Sequence, residues 1–459
     1  MIAPLLSAQE NIEGRVPVKV QALRGFRDYL PEEMLLKARF LERVAGVFES
    51  FGYPPLQTPA LEYSEILLGK YGEEGDMLMY RFRDNGDRDV CLRYDLTVPL
   101  ARVMAEHGEL PIPFRRYQIA PVWRAEKPAK GRYREFMQCD VDLVGVDDAS
   151  ADAEMLEVGA AVLAALDVER YEIRVNHRGI LRGLTRGLGV EDGEREGAFL
   201  RWLDKLEKIG EEKFIAGVRE EFGFDDATLE RLTGALASDG DSEARLAALE
   251  TIVGEDPAGA DGVARLRELF PLLERVGIAA KVTFDARIAR GLSYYTGLIY
   301  ETTLLDLPSI GSVMSGGRYN DLVGMFSKRD LPSIGISLGV DRLFAALREL
   351  RDEPATLSPA QVMVVRFSAE QAADTHEFAA RTRAAGLAAM IYPGEAKLKK
   401  QMQYANKLGV PFTAILGADE VAAREVTVKE MESGEQRRLS WDDAIAWIRS
   451  TTSESAGAS

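Results

Sequence analysis

Apolar residues first recur at helical spacing at Leu36, Phe40, Val44, Val47 and Phe51, a stripe that needs a partner surface. Pro31 suits the first helical position, and Glu32 and Glu33 sit near the positive end of the helix dipole, so the helix opens there. From Phe114 the period changes to two. Tyr117, Ile119 and Trp123 alternate with Gln118, Val122, Arg124 and Glu126, which predicts a strand from Phe114 to Glu126. Lys127-Pro128-Ala129-Lys130-Gly131 breaks it with turn formers, and a second alternating run begins at Arg132. That run puts Arg134, Phe136, Gln138, Asp140 and Asp142 on one face of a charged hairpin. Val90 to Pro99 reads as extended, with Asp95 and Thr97 on the same side. Arg178 to Ile278 reads as charged helical stretches separated by Gly- and Asp-rich breaks. Lys281 to Asp285 is a short strand, and Ala289 to Gly297 is a loop leading into a strand from Leu298 to Leu304. Gly316-Gly317 permits a close approach of backbone, and Gly335 to Leu343 reads as a strand entering a helix.

After a Pro-containing linker the alternation resumes. Strands are predicted at Val362 to Phe367, Leu387 to Tyr392, Phe412 to Leu416 and Val426 to Met431, with helices near Glu370 to Ala385 and Leu398 to Leu408. A last helix, capped by Ser440 with Asp442 and Asp443 in its first turn, is predicted to end near Arg449. The organisation is α+β: residues 1–177 and 279–350 form one domain interrupted by a helical insertion at 178–278, a linker follows at 351–360, and a small α/β domain at 361–450. The small polar tail 451–459 is expected to be disordered.

Composition narrows the function classes. No apolar run is long enough to span a bilayer, and Met1 to Leu6 lacks the basic start and apolar length of a signal peptide, so a cytoplasmic protein with no membrane partner is expected. Two cysteines without Cys-x-x-Cys spacing and three unclustered histidines offer no zinc site. The net charge of −17 argues against indiscriminate nucleic-acid binding, so any RNA contact is local. Two basic concentrations could supply it: Lys127, Lys130, Arg132 and Arg134 in the hairpin, and Lys397, Lys399, Lys400 and Lys407 later. Neither a P-loop nor a Rossmann glycine fingerprint occurs. The hairpin, cationic at its loop and carboxylate-rich on its second strand, could hold a phosphate-bearing ligand at one end and an amine at the other.

Arg124-Ala125-Glu126 followed by Gly131 to Phe136 resembles motif 2 of class II aminoacyl-tRNA synthetases in the form carried by histidyl-tRNA synthetases. Leu92 to Thr97 resembles the element that presents a carboxylate and a hydroxyl to the substrate amine, and Arg290-Gly291-Leu292-Ser293-Tyr294-Tyr295 the family's histidine-binding motif. Gly335 to Leu343 is similar to class II motif 3, with Arg342 as its arginine, and the C-terminal domain resembles the anticodon-binding domain. Ser293 stands where many members carry Asp, and Asp142 is one methylene shorter than the Glu many have there.

The resemblance implies an antiparallel class II catalytic domain in a homodimer, joined at the long first helix and a following strand ending in proline, Gly52 to Pro59. It also implies formation of histidyl-adenylate from L-histidine and ATP with Mg²⁺, then transfer to tRNA(His). Arg124 and Arg290 would be catalytic. Glu126, Arg132, Phe136 and Arg342 join Arg124 in holding ATP, with Glu126 also at the Mg²⁺. Histidine would meet Asp95, Thr97, Gln138, Asp142, Arg290, Tyr294 and Tyr295, and tRNA would meet Lys127, Lys130, Lys397, Lys399 and Lys400. The alternatives are a synthetase-like module that only binds RNA and a non-charging paralogue acting as regulatory subunit of a histidine-biosynthesis phosphoribosyltransferase. Such paralogues generally lack the anticodon-binding domain and erode the catalytic arginines, both of which this chain keeps.

Overall fold

The computed structural model describes residues 19–459 except Lys130, 191–192, 237–239, 290–293, 352–355 and 458–459. Two compact units form, one of the lead-in to Asp28 with Arg43–Leu347, the other of Tyr29–Glu42 with Arg348–Ser459.

The first unit opens with a small antiparallel sheet of β1 (Leu61–Tyr63), β2 (Arg81–Arg83) and β3 (Asp89–Leu92), with β3 central. Its main sheet has seven strands: β4 (Phe114–Trp123), β5 (Glu135–Val144), β6 (Tyr171–His177), β7 (Val282–Phe284), β8 (Leu298–Leu304), β9 (Ser312–Arg318) and β10 (Ser333–Gly339). Their order is β4-β5-β10-β9-β8-β6-β7, antiparallel throughout except for the β6–β7 pair. The predicted hairpin is β4 and β5, paired from Phe114↔Val144 to Trp123↔Glu135. In that register Arg116 faces Asp142, Gln118 faces Asp140 and Val122 faces Phe136, so the polar faces of both strands coincide. From Gln138 onward β5 is buried without a break. A strand enclosed on both faces can carry carboxylates only if partners are built around them.

Helix Ala149–Ala165, capped by the Asp148 carboxylate on the amides of Ser150 and Ala151, packs on the sheet and brings Asp152 to Arg318 at 2.6 Å. The region after β6 forms the helices Arg178–Gly187, Gly193–Ile209, Glu211–Phe222, Asp226–Leu236, Ser242–Val253 and Pro257–Arg275. Glycines let this bundle close on the sheet. A Cβ on Gly183 would lie 2.9 Å from Gly259 Cα, and one on Gly262 would lie 2.7 Å from the Nδ1 of His177.

Three local expectations change. Val90 to Pro99 is a strand only as far as Leu92, where β3 ends, and helix Thr97–Glu106 takes over after a short connection. The Asp95 carboxylate accepts the Val98 amide at 3.1 Å, and Pro99 falls in the first turn, where a missing N–H costs nothing. Gly52 to Pro59 makes a single bridge, Pro55 with Tyr117, because its prolines offer no donors to extend a ladder. The last helix runs Trp441–Gly457, past both Arg449 and the expected start of a disordered tail. The Thr451 and Thr452 hydroxyls fold back onto the carbonyls of Trp447 and Ile448 and so do not break it.

The second unit holds β11 (Val362–Val365), β12 (Ala389–Ile391), β13 (Phe412–Ile415), β14 (Glu425–Glu430) and β15 (Gln436–Ser440), ordered β12-β11-β13-β14-β15. β11 runs parallel to both neighbours and the later pairs are antiparallel, so the sheet is mixed. Val362, Val364, Phe378, Phe412, Val426, Val428 and Ile448 make its core. β15 has no apolar alternation to announce it, being an exposed edge held by pairing with β14.

Candidate active site

The cationic end is built at the mouth of the β4/β5 hairpin. Beyond Trp123 the strands part, yet the Arg124 amide still donates to the Arg134 carbonyl at 2.9 Å, and the Arg134 amide donates to the Gly25 carbonyl at 2.8 Å. Gly25, at φ 88°, has no room for a Cβ, which would meet the Arg134 stem at 2.8 Å. At the tip Ala129 and Arg132 exchange two backbone hydrogen bonds of 3.0 Å each, with Gly131 at φ 69°. The Arg124 guanidinium lies over the rings of Tyr94 and Phe136, at 4.3 and 5.2 Å from their centroids, and its Nε donates to the Tyr94 carbonyl. Two aromatic faces and a carbonyl thus fix a planar cation that lysine could not replace. Glu126 pairs with Arg132. Burial pushes the Glu126 carboxyl up, but Arg132, Arg124 and Arg342 outweigh it and hold the group below the usual range. Arg342, in the first turn of helix Val340–Leu350, donates to the Ser312 carbonyl. Its own pKa is lowered by burial and by the neighbouring Arg132.

The opposite end is acidic and dry. Asp95, Asp140 and Asp142 are each about 2% exposed, and burial raises the pKa of all three. Asp95 is the best supplied: Tyr71 and the Val98 amide donate to Oδ1 at 2.8 and 3.1 Å, and Tyr294 donates to Oδ2 at 3.1 Å. Asp142 receives the Tyr319 hydroxyl on Oδ1 and pairs through Oδ2 with the fully buried Arg116 at 2.6 Å. Gly335 must be glycine beside it, since a Cβ there would lie 2.0 Å from Asp142 Oδ1. Asp140 is raised to about 7 by burial, with Asp142 and Asp95 adding to the rise while Arg116 and Ser337 oppose it. The Gln138 amide nitrogen donates to the Ser337 hydroxyl at 2.7 Å, whereas its buried Oε1 has no donor.

Of the residues expected from sequence, Asp95, Thr97, Tyr294, Gln138 and Asp142 converge on this acidic end, and Arg124, Glu126, Arg132, Phe136 and Arg342 on the cationic one. Tyr294 sits in the core and Tyr295, partly buried, packs edge-on against it at 5.1 Å. Gly317 makes room for that ring, which a Cβ would approach to 3.0 Å. Lys127, Lys397, Lys399 and Lys400 are exposed. Arg290 and Ser293, like Lys130, lie outside the described residues. Sequence reasoning left Arg116, Tyr319, Tyr71, Ser337 and Asp140 without roles. Arg116 could have been found from its place on β4 opposite Asp142. Tyr71 and Tyr319 carry no such signal, because they reach the site from irregular segments.

Among the described residues no cluster of three His, Cys, Asp or Glu could hold a metal by itself, and no helix is long and apolar enough to cross a membrane. Comparison with known proteins agrees with the geometry. The histidyl-tRNA synthetase family profile matches residues 25–343, and an anticodon binding domain profile matches residues 361–451. A histidine--tRNA ligase of Rhodopirellula baltica is 42% identical over 95% of this chain and 100% of its own length. One of Wolinella succinogenes is 43% identical over 93% of this chain and 97% of its own. The crystal structure of histidyl-tRNA synthetase from Nostoc superposes with a TM-score of 0.85 at 32% identity, covering 95% of this chain and 100% of that one. With its motifs in order, its antiparallel sheet and its two-ended site, the chain belongs to the histidyl-tRNA synthetase family.

Proposed function

We propose that this protein joins L-histidine to tRNA(His) through a histidyl-adenylate intermediate, using ATP with Mg²⁺, as a cytoplasmic homodimer. The observation that carries the reading is the polarity of the site. A buried acidic end of Asp95, Asp140 and Asp142 adjoins a cationic end of Arg124, Arg132 and Arg342, and an amino acid joined to a nucleotide has that same polarity. The Rhodopirellula and Wolinella relatives bear the name histidine--tRNA ligase at over 40% identity along nearly the full chain.

In the first step the histidine carboxylate attacks the α-phosphorus of ATP and pyrophosphate leaves. Negative charge grows on the phosphoryl oxygens, where a fixed guanidinium stabilises it better than mobile water does. Arg124, held between Tyr94 and Phe136, is placed for this from one side, with Arg290 assigned to the other. Phe136 and Arg342 offer a ring face and a planar cation to the adenine. Asp95, Thr97 and the donorless Oε1 of Gln138 are suited to the α-ammonium group. Asp142 with Tyr295 borders the imidazole. In the second step a hydroxyl of the terminal adenosine of tRNA attacks the acyl carbon and AMP departs.

Glu126 is the residue suited to Mg²⁺, since the surrounding arginines keep it ionised. One carboxylate suffices where ATP phosphates supply other ligands. When bound, the ion would neutralise charge on the outer phosphates.

Exposed Lys127, with Lys130 next in the loop, is suited to the acceptor end of tRNA, and Lys397, Lys399 and Lys400 to a more distant part. The dimer reading is supported by Leu61, Tyr63 and Phe82, which are 44–50% exposed on the small sheet. Histidine-dependent exchange of pyrophosphate into ATP, without exchange for other amino acids, is the expected result. No exchange by purified protein supplied with Mg²⁺ would overturn the proposal.

A further inference from the structure

Asp95 has donors on both oxygens, and Asp142 takes the Tyr319 hydroxyl on Oδ1 and an ion pair with Arg116 on Oδ2, although that oxygen accepts no well-aligned hydrogen bond. Asp140 differs. It lies between Gln138 and Asp142 on β5, is 2% exposed, and its Oδ1 has no hydrogen-bond donor. Its cross-strand neighbours are Gln118 on β4 and Ser337 on β10. The charged and titratable groups facing it are Arg116 from β4, Arg93 from the segment after β3, Asp142 from its own strand, Asp95 from the loop before helix Thr97–Glu106, and Tyr295 from the loop before β8, and the Ser337 hydroxyl hydrogen-bonds its carboxyl. Arg116 is paired to Asp142 and donates to the Leu96 carbonyl at 3.1 Å, both through Nη2, while its buried Nε and Nη1 make no hydrogen bond and so do not supply Asp140 Oδ1. A buried carboxylate oxygen left without a donor costs on the order of 1–3 kcal/mol or more, and a site keeps such a group where a ligand supplies the missing bond.

We infer that Asp140 is a specificity-determining residue whose Oδ1 accepts an imidazole N–H of the bound histidine. The inference rests on the histidine reading of the site. Two residues of strand advance by roughly 7 Å, so Asp140 lies about that far beyond Gln138, on the side away from Phe136 and the nucleotide end. A histidine with its carboxylate toward Arg124 and its ammonium at Gln138 carries its ring to that depth. An apolar side chain in the same place would leave Oδ1 unpaired, which is how a polar pocket rejects isosteres. With its pKa raised to about 7, Asp140 changes charge where imidazole itself titrates.

The test is Asp140→Asn, nearly isosteric, followed by pyrophosphate exchange from pH 6 to 8.5. At pH 8 the KM for histidine should rise about tenfold, the difference between a charge-assisted and a neutral hydrogen bond, while the KM for ATP stays within twofold. The ratio of variant to wild-type KM should shrink below pH 7, where the wild-type carboxyl gains its proton and resembles the amide. A histidine KM that does not change, or a ratio independent of pH, overturns the inference. If the amide variant fails to fold, the smaller neutral Asp140→Ser carries the same expectation. Wild-type protein without histidine-dependent exchange would sink the histidine reading and this inference with it. Wild-type exchange beside an unaltered variant sinks the Asp140 assignment alone.

Discussion

Arg124 shows how a single side chain is prepared for its work. Its Nε is committed to the Tyr94 carbonyl and its plane to two aromatic rings, so its direction is set before any ligand arrives. Lysine would keep the charge and lose both constraints. Arg124→Lys should therefore lower kcat/KM for pyrophosphate exchange by roughly 100-fold or more, with little change in Tm. A loss below fivefold in steady-state assays would show that charge alone is enough. The buried carboxylates obey the same logic with the opposite sign. Each exists because tyrosine hydroxyls, an arginine or a glycine's missing Cβ were placed around it, and those partners come from distant parts of the chain.

At the scale of elements, the joint between β6 and the helical insertion rests on one histidine. His177 caps helix Arg178–Gly187 by accepting the Gly179 amide on Nδ1 at 3.1 Å, and glycines on two helices crowd it. Burial, then Arg265 and Arg318, lowers its pKa to about 4. The unfolded chain therefore binds a proton near pH 6.5 that the folded one refuses until about pH 4. Stability from this group is complete above pH 6.5 and falls by about 3 kcal/mol as pH drops to 4. His177→Asn keeps a capping acceptor without the titration, so its stability should fall less steeply across that window. Urea denaturation at pH 7.5, 5.5 and 4.5 reads the difference, and parallel acid limbs for the two proteins would refute it.

For the whole molecule, charge and modularity act together. At a net charge of −17 the protein repels RNA on average, so productive contact depends on small basic areas. Lys397, Lys399 and Lys400 lie exposed at the start of helix Leu398–Leu408, in the unit carrying the anticodon-binding match. Replacing all three by alanine should raise the KM for tRNA roughly tenfold, less at higher salt, and leave pyrophosphate exchange unchanged. Aminoacylation and exchange assays on one preparation separate the two effects, and an unchanged tRNA KM would exclude this surface.

The division between what sequence and structure decide follows from the range of the interactions involved. Local alternation was enough to find the β4/β5 hairpin, its break at Lys127 to Gly131, the run of helices from Arg178 and most strands of the C-terminal domain, because side-chain period is imposed by the backbone within a few residues. Local pattern misjudged Val90 to Pro99 and the last helix, where Asp95 on the Val98 amide and threonine hydroxyls on the preceding turn set the backbone. It was silent on β15, an edge strand defined by its partner. It could not show that Asp95 and Asp142 are each engaged by several distant side chains while Asp140 keeps an oxygen without a donor. That depends on Tyr71, Tyr294, Tyr319 and Arg116 arriving from separate segments, and hydrogen bonds over such separations leave no periodic trace in the sequence.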